Sequence, residues 1–150
     1  MKKKFIVRSG LNSFVMLDRI LDVNISRIVA TRFFSNTPVY SGLESLAQLG
    51  AYHVRHLTGF TRHVFLIKIA HCCLPPEKVL EGECVLSGDL ISQSDSSFFF
   101  RMKAQQSEET FMEGEFLFTA VDYDHNFKKD TLRRHYAEVF SCLQSDLRTG

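Results

Sequence analysis

The chain has 150 residues, a length that suits one domain around one core. Its 45% hydrophobic and 23% charged content is that of a globular protein, and excludes a disordered or fibrous one. Eighteen Lys and Arg balance seventeen Asp and Glu, so a formal charge of +1 gives no global pull toward nucleic acid or anionic membrane.

The three lysines at Lys2 to Lys4 are followed by only Phe5, Ile6 and Val7 before Arg8, too short a run for the apolar part of a signal peptide. No stretch approaches the ~20 apolar residues that cross a bilayer. These features predict a cytoplasmic protein that does not engage membranes. Ser13 to Asn24 (SFVMLDRILDVN) places apolar residues on both alternation classes, which predicts a strand covered on both sides. Ile25 to Phe34 (ISRIVATRFF) is β-branched and aromatic and predicts a second strand, joined to the first as a hairpin. Ser35 to Ser41 reads as a loop broken by Pro38.

Gly42 to Thr58 reads as a helix. Leu43, Leu46, Ala47, Gly50, Ala51, Val54 and Leu57 recur at three- and four-residue intervals, and the small residues among them allow close approach to a sheet. Four strand-like runs follow, at 62–71, 82–92, 97–105 and 110–121. The turns between them fall at Pro75-Pro76, Ser94 to Ser96 and Gln106 to Glu109. In the last run Met112, Gly114, Phe116, Phe118 and Ala120 share one face, with Glu113 and Glu115 on the other. The Phe98 to Phe100 triplet reads as a strand buried on both faces, with the lining of an apolar channel as the alternative. A final amphipathic helix from Lys128 to about Gln144 gathers Leu132, Tyr136, Val139, Phe140 and Leu143 on one stripe. Its basic shoulder is Lys128, Lys129, Arg133 and Arg134. The order predicts an α+β domain at 1–122, a curved antiparallel sheet wrapped around one long central helix. A C-terminal helix at 123–150 is packed on or beside it. Cys72, Cys73, Cys84 and Cys142 lack metal-ligand or disulfide spacing and read as buried reduced thiols, so no metal is expected.

Two segments carry a resemblance. Phe14 to Asp22 (FVMLDRILD) resembles the first strand of the FabZ- and FabA-type 3-hydroxyacyl-acyl-carrier-protein dehydratases, with Asp18-Arg19 matching the family's Asp-Arg pair. Phe33-Phe34, Pro38 to Gly42 and Leu43 to Gln48 (LESLAQ) resemble the family's F-F … P-I-M-P-G … E-A-M-A-Q stretch. The resemblance spans roughly residues 10 to 122, in matching order. It implies a hotdog fold, a homodimer or higher homo-oligomer with sites between subunits, and acyl substrates carried on the phosphopantetheine of acyl carrier protein or coenzyme A. No further cofactor is implied. The family carries G-H-F-P-G before the proline, and its His is the base; here Ser35, Asn36 and Thr37 stand in a shorter segment without it.

By this resemblance Glu44 corresponds to the helix carboxylate that assists departure of the hydroxyl. Ser41, Gly42, Leu43 and Glu44 also spell the S-x-x-E capping box, so Glu44 reads equally as a cap. Gln48 lies one turn further, placed either to hydrogen-bond Glu44 or to sit at a subunit interface. Gly42 and Leu43 are expected to offer free helix-start N–H groups to a thioester carbonyl. Tyr40 and Asn36, in the shortened loop, are candidate substrate donors. Among the six histidines, His53 and His56 fall too far along the helix, and His63 and His71 bracket the third strand. The expected activity is dehydration of 3-hydroxyacyl thioesters. The alternatives are thioester hydrolysis and a non-catalytic thioester-binding subunit.

Overall fold

The computed structural model describes residues 15–123 and 129–149, with side chains in the second range from Leu132 to Gln144. Six strands form one antiparallel sheet: β1 (Arg19–Val23), β2 (Arg27–Pro38), β3 (Arg62–Cys73), β4 (Val79–Gln93), β5 (Ser97–Gln106) and β6 (Glu109–Asp122). Their spatial order is β1-β2-β4-β5-β6-β3. Helix α1 (Val39–Leu57) packs against β2 to β6, and α2 (Lys129–Thr149) against β1 and α1. This is the α+β architecture expected, a curved sheet around one long helix with a helix added at the C-terminal end.

The curvature has a local cause. Register shifts interrupt the ladders at Leu90/Ser92, Leu66/Lys68, Ala70/Cys73 and Ala104/Gln105, and bulges of this kind bend a strand and raise its twist. The β1–β2 hairpin turns on Asn24, whose Oδ1 accepts from the N–H groups of Ser26 and Arg27 at 2.9 and 3.0 Å. The β5–β6 turn uses Ser107 and Glu108, both at positive φ, which matches the twist of the flanking strands.

The core lies between α1 and the concave face. Phe34, Phe100, Phe116, Phe118, Leu46 and Leu49 have no exposed surface, and burying each such side chain contributes roughly 1.5–3 kcal/mol. Gly50 lets the helix settle on the sheet: a methyl there would lie 2.5 Å from the Phe118 ring. Gly42 does the same against Leu80 and Met112, at 2.9 Å from each. The expected face of β6 is buried at all five positions. Val139, Phe140 and Leu143 of α2 join the core as their stripe predicts.

Four expectations are corrected. The first strand is shorter: its register with β2 begins at Arg19, and Met16's backbone is held by side chains instead of a neighbouring strand. Ser35 to Pro38 is not loop; β2 continues through it past an irregularity between Phe34 and Thr37, with Asn36 at φ 47°. The Phe triplet is covered on one face only, with Phe98 and Phe100 inward and Phe99 half-exposed. Of the cysteines, Cys84 is buried, its thiol pushed up to about 11 by burial and by Glu83, but Cys72 and Cys73 are exposed at the end of edge strand β3.

Candidate active site at the start of helix α1

Helix α1 begins three residues earlier than its apolar periodicity suggests. Pro38 is the N-cap, with φ −57° and ψ 146°, and no side chain caps the end. The cause is Pro38 itself, whose fixed φ suits a helix entrance and which has no N–H to satisfy. Two consequences follow. The Ser41–Glu44 capping box does not form, because both residues already lie inside the helix. Gly42 and Leu43 donate to carbonyls one turn back, so the N–H groups without an intrahelical partner belong to Val39, Tyr40 and Ser41. No acidic residue lies in the first turn, so the helix supplies no counter-charge of its own to the positive end of its dipole.

The named residues distribute as follows. Tyr40 is 62% exposed, at the second helical position rather than in a loop. Gly42 is buried and Leu43 half-buried. Glu44 is exposed on the face of α1 turned away from the sheet. Gln48 is half-buried, and its Oε1 accepts the Met16 N–H at 2.9 Å. Asn36 stands apart from this group: its N–H donates to Glu81 Oε1 at 3.1 Å, tying it toward β4.

Sequence reasoning missed Arg32 and Ser45. Arg32 of β2 shares strand parity with Ile28, Ala30 and Phe34, all fully buried. A charge at that parity was the available signal. The guanidinium lies 4.9 Å from the Phe34 ring centroid and donates through Nη1 to Met16 O and Ser45 Oγ, each at 3.0 Å. Burial pulls it below its ordinary range, and Asp18 and Glu44 push it back. Asp18 in turn accepts the Phe33 N–H and donates its own N–H to Thr31 O at 2.8 Å. The helix start therefore gathers one open carboxylate, three available N–H donors and a guanidinium within electrostatic reach.

The histidines lie elsewhere. His53 is fully buried under the sheet, with Nε2 at 2.6 Å from Asn24 O and its ring against Phe100. His56 stacks on Phe140 and His63 packs on Phe65 and Tyr123. His71 is exposed, 3.6 Å from Glu115, and His135 is buried in α2. His125 and the basic residue Lys128 fall outside the described residues. Among the described residues, no three His, Cys, Asp or Glu side chains come together as metal ligands, and no helix is long and apolar enough to cross a membrane.

No protein-family model and no curated protein sequence matches the chain. Solved structures do. The dehydratase heterocomplex ApeI:P from Xenorhabdus doucetiae is similar at TM-score 0.62 and 11% identity, over 82% of this chain and 95% of that one. A mutant thioesterase from Pseudomonas aeruginosa is similar at TM-score 0.59 and 6% identity, over 70% of this chain and 81% of that one. A thioesterase from Haemophilus influenzae is similar at TM-score 0.55 and 11% identity, over 72% and 81% of the two chains. At such identities the likeness concerns fold, and the fold of this chain is the hotdog fold.

Proposed function

We propose that the protein acts on acyl thioesters carried by phosphopantetheine, on acyl carrier protein or coenzyme A, and that it dehydrates 3-hydroxyacyl groups to trans-2-enoyl groups at the start of α1. The observation that carries this reading is Glu44, an open carboxylate just past a helix end whose N–H donors are unclaimed within the helix. The resemblance at Pro38 to Gln48 supports it, as does the similarity to a dehydratase heterocomplex over most of both chains.

The chemistry closes without the family's histidine. The N–H groups of Val39, Tyr40 and Ser41 hold the thioester oxygen as it gains charge. Glu44 takes the proton α to the carbonyl, then returns it to the β-hydroxyl, which leaves as water while its electron pair departs with it and the Cα=Cβ bond forms. One carboxylate serves both steps when the hydrogen and the hydroxyl lie on the same side of the substrate. No other cofactor enters.

Hydrolysis is a second reading, favoured by the exposure of Glu44 to water and by the thioesterases among the similar structures, which outnumber the dehydratase. There Glu44 deprotonates the attacking water, and the proton goes to the leaving thiolate. A third reading is a non-catalytic partner of a second hotdog chain. An assembly of at least two copies is supported by β3, a 12-residue edge strand with Phe65, Leu66 and Ile67 exposed beside its unpaired backbone.

Purified protein, checked for dimer by sedimentation, is incubated with 3-hydroxyacyl, trans-2-enoyl and saturated acyl thioesters. Interconversion of the first two, lowered ~10²–10⁴-fold by Glu44→Gln, supports dehydration. Thiol release from the saturated thioester assigns hydrolysis. Binding without turnover assigns the silent partner.

A further inference from the structure

Gln48 belongs to the helix motif that the resemblance singles out, and its Oε1 accepts the Met16 N–H. Both backbone polar groups of Met16 are held by side chains. Its N–H donates to Gln48 Oε1 at 2.9 Å, and its carbonyl accepts from Ser45 Oγ at 2.8 Å and Arg32 Nη1 at 3.0 Å. The same Nη1 reaches Ser45 Oγ at 3.0 Å, so the holding groups brace one another across β2 and α1. The side chains of Met16 and Leu17 are buried, at 4% and 3% exposure. Residues 15–18 are therefore a strap: a segment outside the regular strand that is fixed at Met16 by three side chains doing what a neighbouring strand would do, and that rejoins β2 where the Asp18 N–H donates to Thr31 O at 2.8 Å.

The strap's position matters for chemistry. Ser45 is the residue after Glu44, and Gln48 lies one turn beyond it. On the helix Gln48 lies between the open face that carries Glu44 and the covered face that carries Ser41, Ser45 and Tyr52. The strap, clamped by Gln48 and Ser45, therefore forms one flank of the open face.

We propose that Gln48 is a positioning residue, clamping Val15–Asp18 as a fixed wall beside the Glu44 carboxylate. Its link to turnover rests on the proposed function; the clamp itself does not. A side-chain oxygen is what the position requires, because the Met16 N–H, on a residue only 4% exposed, donates to Gln48 Oε1. Removing it frees the strap, and substrate then loses a wall that helps to hold it.

The test compares wild type with Gln48→Ala and Gln48→Glu, the second keeping an acceptor oxygen. Three quantities are read: hydrogen exchange at the Met16 amide, affinity for an S-alkyl coenzyme A thioether, and KM against kcat on whichever thioester the wild type turns over. The clamp predicts that Gln48→Ala lowers Met16 protection ~10-fold or more. It also predicts thioether affinity and KM ~10-fold weaker, with kcat within about threefold of wild type. Gln48→Glu restores protection and KM. Unchanged Met16 protection in Gln48→Ala overturns the proposal, as does a collapse of kcat at constant KM, which would put Gln48 in contact with the reacting atoms. Lost protection with unchanged affinity overturns it too. A wild type that turns over no thioester removes the proposed function alone, and the clamp is then judged on Met16 protection and thioether affinity.

Discussion

The two ends of α1 are built for opposite purposes. At its start there is no side-chain cap and no acid in the first turn, Tyr40 and Glu44 stand exposed, and three N–H donors have no helical partner. At its end the last turn holds Arg55 and His56, cations that suit the negative end of the dipole. That end is closed under α2. Arg55 lies 3.8 Å from the Tyr136 ring centroid, His56 stacks on Phe140 at 5.2 Å, and Tyr52 packs against both aromatic residues. The contrast teaches where the chain spends its stability. The closed end fixes the helix, which leaves the open end free to keep polar groups without helical partners.

The comparison is broken most directly through activity. Glu44→Gln, at the open end, is expected to abolish most turnover while urea denaturation shows a stability within about 0.5 kcal/mol of wild type. The closed end should respond in the opposite sense. Phe140→Ala removes a ring that Tyr52, His56 and Phe60 all contact, and is expected to cost about 3 kcal/mol in the same measurement with kcat retained in the folded fraction. Gly50→Ala, mid-helix, drives a methyl into the Phe118 ring and is expected to cost ~1–3 kcal/mol, visible as a lowered Tm.

Acid sharpens the comparison by a smaller amount. Burial lowers the pKa of His53, His63 and His135 below the ordinary 6.5, with Arg55 adding to the effect at His63 and His135. The Asn24 carbonyl at His53 and Glu138 at His135 oppose it in part. The folded state therefore binds these protons less readily than the unfolded state. Their stabilising contribution is complete above pH 6.5 and is lost as pH falls below it. Urea midpoints measured between pH 7.5 and 5 should decline, and a flat profile would remove these rings from the account of the closed end.

Much of the fold was legible because burial imposes a period. The alternation of Met112, Gly114, Phe116, Phe118 and Ala120 located a core-facing strand, and the spacing of Leu132 to Leu143 located the covered stripe of α2. Gly50 was legible as a close approach, though Phe118 as its neighbour was not. The site was legible only in part. Glu44 could be named, but its exposure and its release from a cap depended on where the helix started. That point was set by Pro38 and the continuation of β2, not by apolar spacing.

The sequence by itself determined the order of elements, the faces they bury and the carboxylate at the helix start, because side-chain periodicity and residue chemistry are local properties. Only the tertiary structure decided that Met16 leaves its strand, that Arg32, Ser45 and Gln48 converge on it, and that one end of α1 is sealed while the other stays open. Those outcomes depend on hydrogen bonds and ring contacts between residues up to 88 positions apart, such as Tyr52 and Phe140, and a linear pattern carries no record of which distant partner will satisfy a buried polar group.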